Sequence, residues 1–226
     1  MVSLSNSGTV PAASVVAIAP TRPAYRLAKR ALDVTAGTLG LVVTAPVMLG
    51  LAAAIKLESP GPALFRQQRV GLGGRPFLLY KFRSMHASAD EDQHRRYVAK
   101  LLAEPRHAGT WVPIEQDARV TRVGQLLRRT HLDELPQLLN IVRGEMSLVG
   151  PRPPIPYEVE LYKPWQLRRL SVVPGLTGLW QVEGWGRLSF DEGVALDLAY
   201  IERRSIWLDL TILVRTVWQI LAGRQF

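Results

Sequence analysis

Asp133 and Glu134 stand side by side, with Arg128 and Arg129 just before them and Arg152 downstream. A carboxylate is anionic at neutral pH and needs no base to act as a nucleophile, for instance towards phosphorus. A guanidinium is a planar fork suited to bidentate phosphate recognition. Such a group of residues suits a phosphorylated, metal-bound substrate. The elements that must position it are legible nearby. Leu135, Leu138, Leu139 and Val142 recur at i, i+3, i+4 and i+7, one face of a helix. Thr130 followed by Asp133 resembles a capping box, and Pro136 is tolerable only in a first turn. Arg143-Gly144 reads as the end of the helix. This places the two carboxylates at a helix N-terminus, whose dipole favours the ionised form. Neighbours on a helix point about 100° apart, so one carboxylate can face a substrate while the other holds a metal. Acidic residues at helix starts are commonly mere caps, so the pair alone identifies nothing. The segment that follows changes the weighing. Gly150-Pro151-Arg152-Pro153-Pro154 is a stiff, proline-set turn carrying one guanidinium.

The run from Leu132 to Pro153 closely resembles the bacterial sugar transferases, the monotopic polyprenyl-phosphate phosphoglycosyl transferases. Lys81-Phe82-Arg83-Ser84-Met85 and Pro174-Gly175-Leu176-Thr177-Gly178 also resemble that family's motifs, in the family's order. The resemblance covers residues 25–226, nearly the whole chain. It corresponds to the catalytic unit, without the bundle of membrane helices that larger members carry ahead of it.

That resemblance implies transfer of a sugar 1-phosphate from a UDP-sugar to undecaprenyl phosphate, with release of UMP. Glucose, galactose and an N-acetylated hexosamine all stay open as the sugar, with UDP-glucose and UDP-galactose the favoured donors, in exopolysaccharide or related glycoconjugate assembly. Asp133 takes the nucleophile's place, forming an aspartyl-phosphosugar intermediate. Glu134 takes the place of the Mg²⁺ ligand. Lys81, Arg83, Arg128 and Arg152 match basic motif positions that contact phosphate or substrate. The expected location is the cytoplasmic face of the bacterial inner membrane, with downstream glycosyltransferases as possible partners and no nucleic acid. Two departures stand out. The family's Ser-Pro in the membrane helix is here Ala45-Pro46, preceded by Thr44. Where many members have Gly-Arg after Trp-Gln-Val, this chain has Gly184-Trp185, and Arg187 is the substitute.

Composition agrees with an anionic partner in or near lipid. The 226 residues suffice for one domain with a core, 47% are hydrophobic, and the net charge is +9. There is no cysteine, which excludes disulfides and thiolate metal sites. Residues 1–24 are aperiodic and read as a flexible tail. A signal peptide there is disfavoured, because the short apolar run lacks a basic leader. Residues 34–55 carry no charge and could reach about 33 Å, the thickness of a bilayer core. A buried helix of a soluble core is the alternative reading. Basic residues flank the stretch on both sides: Arg22, Arg26, Lys29 and Arg30 before, Lys56, Arg66, Arg69 and Arg75 after. Since Lys and Arg favour the cytoplasmic side, neither flank yields. Pro46 therefore predicts a break and a re-entrant helix over 25–57, ahead of a catalytic part over 58–226.

The remainder predicts an α+β fold, mostly helical, with one small β-hairpin packed among amphipathic helices. Residues 63–70 and 76–85 flank a Gly-rich turn, with Lys81 and Arg83 sharing one face of the second strand. Residues 88–104 form a charged surface helix, and a short basic helix ends near Arg129. Residues 157–169 are helical but split by Pro164, and residues 173–178 form a turn. Residues 180–187 form a Gly-broken loop with two indoles, suited either to stacking on uracil or sugar or to simple core packing. Ser189 caps a helix over 190–204. The apolar stretch 207–220, with Trp207, Trp218 and Arg215, is either an interfacial helix or a buried one. Two other readings stay open: a basic membrane-anchored adaptor without catalysis, and a metal-dependent lipid phosphohydrolase.

Overall fold

The computed structural model describes residues 16–86, 119–184 and 188–223. The charged segment 88–104 and Arg187 lie outside the described residues. Helix α1 (Pro23–Glu58) is continuous and carries Pro46 inside it. Strands β1 (Leu64–Val70) and β2 (Pro76–Phe82) pair antiparallel, with Phe65 opposite Lys81. Between them Gly73 and Gly74 take positive φ, which a short reversal demands and glycine supplies without strain. Next come α2 (Arg122–Thr130), a 3₁₀ turn (Leu132–Glu134) and α3 (Gln137–Arg143). Strand β3 (Ser147–Val149) pairs in parallel with β4 (Gly175–Thr177). α4 (Pro156–Val159) and a 3₁₀ turn (Gln166–Ser171) lie between these strands. α5 (Leu179–Gly184), α6 (Phe190–Arg203) and α7 (Ile206–Leu221) complete the chain.

The expected α+β, mainly helical class holds, as do the long N-terminal helix and the hairpin. Ser189 does cap α6, in a reciprocal box with Glu192. Pro164 does separate two helical pieces. Two readings change. The expected turn at 173–178 contains a strand, because β3 offers it a parallel partner far away in sequence. The expected loop at 180–187 begins as helix α5. Its Trp180 is buried against Phe190, over Gly193, where a Cβ would collide with the indole. Trp180 is therefore core and not a stacking platform.

Helix α1 is held at two places by the rest of the chain. Near its start Gly37 and Gly40 let it approach the side chains of Leu138, Ile141 and Val142 on α3. Arg30 donates to the terminal carbonyls of Ile141 and Val142, at 2.8 and 2.7 Å. Asp33, buried, accepts from Ser147 Oγ and Leu148 N. Near its end Ile55 enters a cluster with Ala63, Phe82 and Leu127. Between these places Leu39, Val42, Val43, Val47 and Leu49 are exposed. This is the one helix among the described residues long and apolar enough to cross a membrane. Thr44 Oγ1 donates to the Gly40 carbonyl at 2.6 Å, the i−4 bond that bends helices. Of the expected tail, residues 16–22 lie against the body. Ala19 N donates to Ser171 O, and Arg204 donates to the Ala19 and Pro20 carbonyls.

Candidate active site

His131 takes the left-handed conformation (φ 56°) and ends α2. Thr130, expected as an N-cap, is instead the last residue of α2 and donates to the Leu126 carbonyl. Histidine tolerates this region better than most side chains, and sequence periodicity does not register it. Asp133 and Glu134 therefore sit on a 3₁₀ turn before α3, not in its first turn. Glu134 N bonds back to His131 O and Leu135 N to Leu132 O, so the dipole argument does not apply here. Leu132 and Leu135 pack against Ile55, Ala63, Phe82 and Leu127. Their insertion fixes the turn that carries both carboxylates.

Cationic side chains set the electrostatics instead. Lys81 Nζ lies 2.8 Å from Glu134 Oε1 and 3.3 Å from Asp133 Oδ2. Arg152 Nη1 lies 3.9 Å from Glu134 Oε1. Burial pushes the Glu134 carboxyl up, but the charges of Lys81 and Arg152 and the hydrogen bond from Lys81 outweigh it. The carboxyl is held down at about 2. Asp133 is 7% exposed, so a desolvated carboxylate is presented beside an ammonium.

Lys81 is positioned by Asn140, which sequence reasoning passed over. Its side chain accepts from Tyr80 N and donates to Leu78 O, locking α3 onto the edge of β2. Arg152 projects from the loop after β3 and borders a narrow cleft with Arg69, Lys81, Gln137 and Pro153. Arg69 and Gln137 are the residues missed at this cleft. Leu64–Val70 carries no hydrophobic alternation that would mark Arg69 as inward-facing, and its burial comes from packing against the Pro153 loop. Burial and the neighbouring Arg152 charge push the Arg69 guanidinium down to about 10, so it stays cationic at neutral pH.

The structure thus brings Lys81, Asp133, Glu134 and Arg152 together. Arg83 goes elsewhere: its buried guanidinium donates to Ser59 O and Oγ, at 2.8 and 2.9 Å. It lies just past the end of β2, where strand alternation no longer governs direction. Arg128 donates from Nε to Ser84 Oγ at 3.0 Å, one motif residue beyond Arg83.

No group of three or more metal-ligating side chains occurs among the described residues. Mg²⁺ does not require one, since it is usually held by one or two carboxylates, substrate phosphates and water. A paired Asp133 and Glu134, the latter ionised throughout the physiological range, fits that habit.

The model of the family described as "Bacterial sugar transferase" matches residues 24–223. The chain belongs to the bacterial sugar transferase family. A similar sugar transferase is the UDP-glucose:undecaprenyl-phosphate glucose-1-phosphate transferase of Caulobacter vibrioides, 43% identical over 93% of this chain and 78% of its own length. The exopolysaccharide production protein ExoY of Rhizobium meliloti is 39% identical over 90% of this chain and 89% of its own. Galactosyl transferase CpsE of Streptococcus agalactiae is 43% identical over 88% of this chain. The chain spans 43% of that longer relative. As a sugar transferase of this kind the chain is an enzyme, of the phosphoglycosyl transferase class.

Proposed function

We propose that the chain transfers a sugar 1-phosphate from a UDP-sugar, UDP-glucose or UDP-galactose, to undecaprenyl phosphate. The observation that carries this is the desolvated Asp133 beside Glu134, bridged by Lys81 and faced by Arg152. An Asp133 oxygen attacks the sugar-bearing phosphorus of the donor. The bond from that phosphorus to the bridging oxygen breaks, and UMP leaves with the electron pair. The sugar phosphate remains on Asp133 as an acyl phosphate. A phosphate oxygen of undecaprenyl phosphate then attacks the same phosphorus, which frees the Asp133 carboxylate and yields the lipid diphosphate sugar. Lys81 and Arg152 offset the repulsion between an anionic nucleophile and an anionic diphosphate. Mg²⁺ held by Glu134 would add neutralisation of the diphosphate charge.

The membrane reading goes with this function. Both ends of α1 pack on the same body, while its middle is apolar and exposed. A helix so held enters the cytoplasmic leaflet, bends at Pro46 and returns. On α7, Trp207, Leu210, Val214, Val217, Trp218 and Leu221 form an exposed apolar stripe at helical spacing, suited to lie in the headgroup layer. Single cysteines at Ser7 and Ser88, in a chain with none, should both label from the cytoplasmic side. Labelling of Ser7→Cys from outside intact cells would establish a spanning helix instead.

The reaction is tested with enzyme in nanodiscs, Mg²⁺, undecaprenyl phosphate and a panel of UDP-sugars, scoring UMP. With labelled donor and no acceptor, the wild type should carry a sugar phosphate and Asp133→Asn should not. Release of free phosphate in place of UMP would favour a phosphohydrolase. Binding that falls with salt, with no turnover, would favour an adaptor.

A further inference from the structure

The loop bearing Arg152 is held in an unusual way. Four successive carbonyls, from Pro151 to Pro154, each accept a hydrogen bond. Gly175 N donates to Pro151 O at 2.8 Å and Val70 N to Pro154 O at 2.9 Å. The two inner carbonyls are taken by side chains. Arg169 Nη2 donates to Arg152 O at 3.2 Å, and Arg69 Nη1 donates to Pro153 O at 2.9 Å.

Each of these arginines is fixed from behind. Gln67 Oε1 accepts from Arg69 Nε and Nη2, at 3.1 and 2.7 Å. Asp197 Oδ2 accepts from Arg169 Nη2 at 2.7 Å, and Tyr162 Oη accepts from Nη1 at 2.9 Å. The rings of Tyr162, Trp180 and Phe190 surround the Arg169 guanidinium at 5.6 to 6.0 Å. Both arginines are buried, at 8% and 4% exposure. Burying two cations is costly unless acceptors satisfy them, and two carbonyls of this loop are among those acceptors.

Three prolines already restrict the φ angles of this loop. Their missing N–H groups leave it few donors of its own, so carbonyl contacts remain to fix its direction. The side chain it delivers to the acidic pair is Arg152. From this we propose that Arg69 and Arg169 are positioning residues for Arg152, clamping its backbone so that the guanidinium is already aimed when donor phosphate arrives. The proposal rests on the reading of Arg152 as a donor phosphate contact.

A double-mutant cycle tests it. Kinetics of UMP release would be measured for Arg69→Met, Arg69→Lys, Arg169→Lys and Arg152→Ala, and for each clamp variant combined with Arg152→Ala. Calorimetric binding of the UDP-sugar and a thermal midpoint would accompany each variant. Misaiming a phosphate contact should lower kcat/KM for the donor by about 10- to 100-fold. The KM for undecaprenyl phosphate should stay unchanged, and Arg69→Lys should recover part of the loss. Donor binding should weaken in parallel with kcat/KM. In the Arg152→Ala background either clamp variant should cost less than about 2-fold, because the group it aims is gone. Full multiplicative losses in that background would overturn the proposal, showing that the arginines act on substrate or on the fold by themselves. Should Arg69→Met lose its thermal transition, the Arg169→Lys cycle decides, since it keeps the charge opposite Asp197. A wild type that releases no UMP from any UDP-sugar removes the parent reading. An active wild type with a multiplicative cycle removes only the clamp.

Discussion

Two of the cation–carboxylate clusters among the described residues are built on opposite lines. At Lys81 one ammonium serves two carboxylates, and the cluster borders a cleft. At Arg169 one guanidinium serves one carboxylate, Asp197, at 2.7 Å, with both side chains 2–3% exposed. In the first, Lys81 and Arg152 face the two carboxylates at the edge of a cleft, so a substrate or cation can displace part of the pairing. The second is enclosed by Tyr162 and the Arg152 carbonyl and is shut off from solvent. A site that exchanges partners needs the first arrangement, and a scaffold that must not shift needs the second.

The comparison breaks most visibly at Asp133. Asp133→Asn should lower turnover by roughly three orders of magnitude or more while the thermal midpoint scarcely moves. In the buried cluster the pattern should invert. Asp197→Asn strands a buried guanidinium and should cost roughly 3–5 kcal/mol of stability, read by denaturant unfolding. A change below about 1 kcal/mol would show that the pair is not the scaffold described. Glu134→Gln should reduce kcat by about 10²-fold, with loss of the dependence on added Mg²⁺. An unchanged EDTA sensitivity in that variant would move the metal away from Glu134.

The smallest effect is also the sharpest in sign. Glu134 has a folded pKa of about 2, below its ordinary 4.5, so its contribution is present above 4.5 and lost as pH falls towards 2. Glu134→Gln should erase this slope in unfolding measured across pH 2–7. A slope left unchanged in that variant would contradict the environment assigned to Glu134.

The chemistry of the site was more legible in the sequence than its backbone. Lys81, Asp133, Glu134 and Arg152 come from motif residues whose types dictate the chemistry, and they meet in space. The helix cap at Thr130 failed because a single left-handed histidine reset the chain by one turn, a conformational choice that hydrophobic spacing does not encode. β4 was hidden because its partner β3 lies about one-eighth of the chain away, and three residues carry no alternation to read. Arg69, Arg169 and Asn140 were invisible for a different reason. Each is a polar side chain whose role is to hold a backbone group of a distant segment, and only packing reveals which one.

The ties of α1 have a mechanical consequence. Arg30 fastens it to the end of α3, and Asp33 fastens it to β3, from which the Arg152 loop departs. With α1 seated in a lipid leaflet, any change in its tilt turns α3, β3 and the loop as one piece. On the proposed membrane placement, leaflet thickness would set the height of Asp133 above the headgroups, as a float sets a valve, while the ties between α1, α3 and β3 keep the site together.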